Sequence, residues 1–248
     1  MFLIRRSDQR GHFDHGWLQT WHSFSFADYQ DAQHVGLDTL RVINQDIVQP
    51  QGGFQPHGHR DMEIITYVIR GAVEHQDSMG NKELVPAGDV QRMTAGSGVR
   101  HSEVNPSADE ELELLQIWIL PNREGLEPGY EQRSFAQAGE GLTLLVSPDG
   151  RDGSLTIHQD AEIHAARLTD GESVRFKLRV GRSAWVQLVK GELLVEDAVL
   201  QAGDGLAVAD LDALELRARG DAEFLLFDLA PGPLGRDQAV AASSAAQA

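Results

Sequence analysis

Cysteine is absent from the 248 residues, so the fold draws on no disulfide and any metal is held without thiolate. Basic residues are scarce: 21 Lys and Arg stand against 38 Asp and Glu, a formal net charge of −17. Such a surface repels phosphate backbones, whose binding depends on clustered cations that release counterions, and direct nucleic-acid binding is not expected. Long apolar runs are missing too. Stretches such as LELLQIWIL at 112–120 fall far short of the roughly 20 residues that span a bilayer, so no membrane span is expected. MFLIRRSDQRG at the start sets its apolar residues before its arginines, the reverse of a secretion signal, and the expected compartment is the cytoplasm.

What is there is a globular balance, 41% hydrophobic and 24% charged, in a chain long enough for one large domain or two of about 110 residues. Short apolar stretches recur between Gly, Pro, Asp and Asn: MEIITYVIRG, LELLQIWIL, VRFKLRVG, AWVQLVKGELLVE and EFLLFDLAPG. They read as many strands joined by turns, an all-β sandwich or barrel with few short helices. PNREGLEPGYEQRS, 121–134, reads as a loop, and AVAASSAAQA, 239–248, as a disordered tail without an apolar face.

The two halves carry a faint repeat. YVIRGAVEH followed by ELVPAGDV, within 67–90, resembles VQLVKGELLV followed by VLQAGDGL, within 186–206. Each copy has an apolar strand, a glycine at 71 or 191, a second strand, then a Gly-Asp turn at 88–89 or 203–204. Two β-barrel domains account for the length and the repeat: residues 1–135 and 136–238, with the connection near SPDGRDGS at 147–154. Anchored on the shared glycines, the positions matching His57 and His59 are Lys177 and Arg179, so whatever the first half's histidines do, the second half is not expected to repeat it.

The first half holds the residues that can do chemistry. On a strand, residues i and i+2 share a face with Cα atoms roughly 6.5–7 Å apart, so His57 and His59 of PHGHRDME converge on one point. The same rule pairs His101 with Glu103 in VRHSEVN. If the two strands oppose each other inside a barrel, three imidazoles and a carboxylate converge on one ion. Such donors suit a first-row dication: Fe(II), Ni(II), Mn(II), Cu(II), Co(II) or Zn(II). An H-x-H pair alone could be two exposed histidines; H-x-E after a Gly-rich turn strengthens the metal reading, because clustered interior imidazoles otherwise want for partners.

Several blocks carry a resemblance. The G…H-x-H-(x)3-E block at 53–63 and the G-(x)5-P-x-G block at 80–88 resemble the two cupin motifs. More specifically, HSFSFADY at 22–29, GGFQPHGHRDMEIITYVIRG at 52–71, EHQDSMGN at 74–81 and PAGDVQRMTAGSGVRHSE at 86–103 resemble pirin-family signatures, densely over the first 120 residues and loosely beyond. The resemblance implies a bicupin of two jelly-roll-like barrels, with one metal, Fe(II) first among the candidates, in the N-terminal barrel. It implies the ligands His57, His59, His101 and Glu103. Bacterial pirins of this kind are associated with quercetin 2,3-dioxygenase activity, and eukaryotic members act as nuclear cofactors of transcription factors.

The implied reaction takes a flavonol and dioxygen: the metal favours the ionised 3-hydroxyl, Glu103 takes its proton, and the ring opens with loss of carbon monoxide. The alternative is a non-enzymatic, metal-binding regulator docked on a partner protein. A monomer is expected. In the general cupin pattern Glu63 is the ligand; the pirin resemblance favours Glu103 and leaves Glu63 a supporting role outside the metal, or a surface ion pair. His75, beside a turn at MGN, is expected to be solvated. His12, His15, His22 and His34 are expected to pack rather than ligate, His158 and His164 have no matching partners, and Trp17, Trp21, Trp118 and Trp185 read as core or interdomain residues.

Overall fold

The computed structural model describes residues 1–136 and 141–236. It is an all-β bicupin, with helical geometry among the described residues confined to single 3₁₀ turns at Ser7–Gln9 and Arg151–Gly153. The tail expected at 239–248 lies outside the described residues.

In the first half a seven-stranded sheet runs in the order Gly129–Ser134, Asp89–Thr94, Glu63–Arg70, Leu112–Ile119, Leu40–Val48, Leu18–His22, Gly11–Asp14. It faces a four-stranded sheet of Gly53–His59, Val99–Val104, Ala72–Asp77 and Lys82–Pro86. Period-2 alternation divides the central strand Glu63–Arg70 between two environments. Ile64 and Val68 face the barrel interior, while Ile65, Tyr67 and Ile69 join a large apolar cluster shared with Trp185, Leu225 and Phe227 of the second half. That cluster binds the barrels to each other, which explains why the strand is apolar on both faces.

The second half is one nine-stranded sheet folded on itself, built around Ser183–Val195 and Ala213–Leu229, both long enough to serve two layers. Its edge is not local. Phe2–Arg5, which sequence order assigns to the first half, pairs antiparallel with Gly205–Ala209.

The repeat is real in three dimensions. Gly71 and Gly191 both adopt positive φ, 77° and 81°. A Cβ on either would meet a backbone carbonyl, Glu111 at 2.8 Å or Asp221 at 2.0 Å, so both corners require glycine. Strand pairing nevertheless corrects the alignment at the positions of His57 and His59. His101 lies opposite His57, and its counterpart Leu214 lies opposite Phe176, not Lys177. A one-residue offset reverses the face, and Lys177 and Arg179 accordingly sit in solvent. A second correction concerns 121–134. Its last six residues, Gly129–Ser134, form an edge strand on Asp89–Thr94, unmarked in sequence because one side is open and GYEQRS carries no apolar alternation.

Candidate metal centre

The strands Gly53–His59 and Val99–Val104 are hydrogen-bonded neighbours in the four-stranded sheet, side by side and not opposed across the barrel. Directly paired residues on adjacent strands project from the same face. His57 opposite His101 is such a pair, and His59 joins them by i+2 spacing. Ring centroids lie 4.5 Å apart for His57 and His101, 4.7 Å for His57 and His59, and 4.9 Å for His59 and His101. One nitrogen from each falls within 4.8 Å of the others. His57 and His59 are half-buried at the mouth, and His101 is 3% exposed behind them.

The electrostatics favour neutral rings. Burial, then His57 and His75, pushes His101 down to about 3; burial, then His101 and His57, pushes His59 to about 4. A neutral imidazole keeps a lone pair for a cation. His57 donates from Nδ1 to the Gln55 carbonyl at 2.8 Å, which leaves Nε2 as the acceptor nitrogen. Both nitrogens of His101 are buried without a hydrogen-bond partner. An orphaned polar atom of that kind costs about 1–3 kcal/mol, and a cation among these donors removes the deficit. The residues present therefore fit a metal.

Glu103 is buried on the same strand, held by the opposite sheet. Gln116 Nε2 donates to its Oε2 at 2.8 Å, the Thr66 hydroxyl lies 3.2 Å from Oε1, and Gln91 Nε2 also donates to Oε1. These three residues were not legible as site residues, although a glutamine inside LELLQIWIL and a threonine inside MEIITYVIRG are polar breaks at interior-facing positions. Tyr130, from the unmarked edge strand, donates to Gln91 Oε1 at 3.0 Å; burial raises its pKa, so it stays a donor.

Glu63 lies elsewhere. Asp61 at φ 49° breaks the strand after His59, so the alternation that puts Glu63 on the face of His59 does not carry across. Its carboxylate is 0% exposed, so it forms no surface ion pair: it accepts from the Thr94 hydroxyl at 2.8 Å and bonds His158 Nδ1 at 3.0 Å, linking the two barrels. His158 thus has a partner that the sequence did not reveal. His75 is also corrected: it is 0% exposed, paired with Asp77 at 3.1 Å and stacked on Tyr130. Proximity to a turn misled because the strand runs inward up to Asp77. His22 packs among Phe13, Phe26 and Tyr29, and His12 stacks on Trp21, as expected. Trp185 meets Phe24 between the barrels, whereas Trp118 stands edge-on to His59 at 5.1 Å and walls the site.

Comparison with known proteins decides the family. The pirin family model matches residues 3–119, and a model described as the quercetinase C-terminal cupin domain matches 144–229. A quercetin 2,3-dioxygenase of Escherichia coli strain K12 is 50% identical over 231 residues, covering 93% of this chain and 100% of its own. The chain belongs to the pirin family. A pirin-like protein of Caulobacter vibrioides is 41% identical over 226 residues, 90% of this chain and 97% of its own. The crystal structure of a bacterial pirin from Escherichia coli in complex with nickel(II) superposes with a TM-score of 0.90 at 50% identity, covering 93% of this pirin and 100% of the other chain.

Proposed function

We propose that this pirin is a metal-dependent dioxygenase that cleaves a flavonol such as quercetin, with one divalent ion held by His57, His59, His101 and Glu103. The observation that carries the reading is His101, a buried imidazole with two unpartnered nitrogens between two further imidazoles and a fixed carboxylate. Two relationships support it: the 50% identity to a quercetin 2,3-dioxygenase, and the likeness to a pirin that carries nickel(II). Imidazole and carboxylate donors suit Fe(II) as well as Ni(II), Mn(II), Cu(II), Co(II) and Zn(II), and Fe(II) is the ion we assign first.

Bound there, the ion supplies positive charge that favours the ionised 3-hydroxyl of a flavonol and a place for dioxygen chemistry. The protein's own residues do the rest. Glu103 accepts the hydroxyl proton. Gln116, Gln91 and Thr66 fix the carboxylate's orientation, so the base needs no reorganisation when the substrate arrives. Trp118 and Phe26, edge to face at 5.3 Å, offer an apolar wall to a flat aromatic ring system.

Purified, metal-stripped protein reconstituted separately with Fe, Ni, Mn, Cu and Co provides the test. Oxygen-dependent loss of quercetin absorbance is expected in at least one form. Stoichiometric metal binding without flavonol consumption in any form would reject the dioxygenase reading while leaving the metal site intact.

A further inference from the structure

His75 is built like a ligand yet lies outside the four residues assigned above. It faces Glu103 directly across the pairing of Ala72–Asp77 with Val99–Val104, and Asp77 faces His101. Both side chains of the His75–Asp77 pair are fully buried. His75 Nε2 lies 3.1 Å from Asp77 Oδ2, while its Nδ1 is buried without a partner. Asp77 is itself immobilised: its Oδ1 accepts from the backbone N–H of Met79 at 2.9 Å and of Asn81 at 3.1 Å, and its Oδ2 from Asn81 Nδ2 at 2.8 Å. Tyr130 stacks on the ring at a centroid distance of 4.6 Å and 25°. A carboxylate that takes one imidazole N–H, with the ring clamped and the other nitrogen left free, is how proteins orient metal-ligating histidines. In a purely structural role the free nitrogen would only destabilise the barrel.

One nitrogen each from His75 and His101 and an oxygen of Glu103 lie within 4.8 Å of one another, all buried. Two imidazoles and one carboxylate form a donor set that by itself holds non-haem divalent iron and its neighbours, with positions left open. We propose that His75 is a further metal ligand, so that the cation assigned above to His57, His59, His101 and Glu103 has a second, inner position on His75, His101 and Glu103. His101, with both nitrogens unpartnered, and Glu103 are shared by the two positions. The inference rests on reading His101 and Glu103 as ligands, and it adds a path for the ion from the half-exposed mouth to the buried interior.

The test uses the full chain carrying His57→Ala and His59→Ala, whose replaced side chains are half-buried at the mouth. With Co(II), the double variant is expected to keep about one ion per chain, bound more weakly than in the intact protein. Adding His75→Leu is expected to abolish it. No bound ion in the double variant, or retention after His75→Leu, overturns the proposal. Anomalous diffraction from Co(II)-loaded crystals of the double variant needs no change at His75. A peak between His75, His101 and Glu103 supports the inner position, and a peak anywhere else overturns it. If the unaltered protein binds no Co(II), it is the assignment of the metal site itself that fails.

Discussion

The two barrels share a frame and differ in what fills it. Around the candidate centre the first barrel places Thr66, Gln91, Gln116, His75, His101 and Glu103. Following the strand pairings, the second barrel sets Val186, Leu206, Leu226, Val195, Leu214 and Leu216 at the matching places. All six of the latter are 0–1% exposed in one continuous apolar cluster. The first barrel's apolar residues are split instead into separate groups, one with Leu18, Val48, Val68 and Leu114, the other with Ile64, Met93 and Val99. Most buried side-chain atoms without a partner among the described residues lie in the first half, with Ser183 Oγ the exception. His22 Nδ1, Asn44 Oδ1, Asp46 Oδ1, His75 Nδ1, Trp118 Nε1 and both His101 nitrogens belong to the first half. One barrel is filled for stability, and the other gives up part of that filling to hold something.

The comparison can be broken by exchanging residues between the barrels. Leu216→Glu, which places the counterpart of Glu103 in the second barrel, buries a carboxylate among leucines. Denaturant unfolding is expected to show a loss of about 3–5 kcal/mol, and metal analysis no gain of a second ion. The reverse exchange, His101→Leu after Leu214, is expected to weaken metal binding at least ~100-fold by titration. It should leave stability of the metal-free protein unchanged or higher, because two unpaired buried nitrogens disappear. If His101→Leu unfolds the chain, the imidazole is a structural residue and the contrast fails.

Smaller changes sharpen the same contrast. Gln116→Leu, after Leu226, removes the 2.8 Å donor to Glu103 Oε2 and is expected to lower metal affinity about tenfold while the fold persists. The pH response supplies the smallest effect. His22, His59 and His101 are lowered to about 4, 4 and 3, in each case chiefly by burial. Below the unfolded value of about 6.5 the unfolded chain takes up protons that the folded one refuses, so this contribution is whole above pH 6.5 and is lost as pH falls toward 4. Asp46, raised by burial to about 7, acts oppositely: its contribution is present at low pH and is lost as pH rises through 7. Melting of the metal-free protein at pH 7.5 and 4.5, compared with His101→Leu, isolates the histidine part. The variant is expected to lose roughly 2–4 °C less.

Much of this was legible from short-range rules. Period-2 spacing marked the strands and brought His57 to His59 and His101 to Glu103, and the repeated glycines marked two like barrels. What escaped depended on information that spacing lacks. Asp61 alone, through one left-handed residue, carries Glu63 from the face of His59 to the interdomain seam. A one-residue slip in pairing separates Phe176 from Lys177. Gln91, Gln116 and Thr66 meet at Glu103 from three strands of the opposite sheet, a convergence visible only once the sheets face each other. Tyr130 was hidden because its strand is an edge, half in solvent and without alternation.

The pairing of Phe2–Arg5 with Gly205–Ala209 has a consequence for synthesis. About 200 residues separate the partners, so a ribosome working at 5–20 residues per second leaves the first strand waiting roughly 10–40 s for its mate. Until then those four residues trail as a loose strand from the nascent chain, open to pairing with any other extended segment nearby. Phe2–Arg5 therefore seals the later-made of the two barrels, and can do so only once Gly205–Ala209 has left the ribosome.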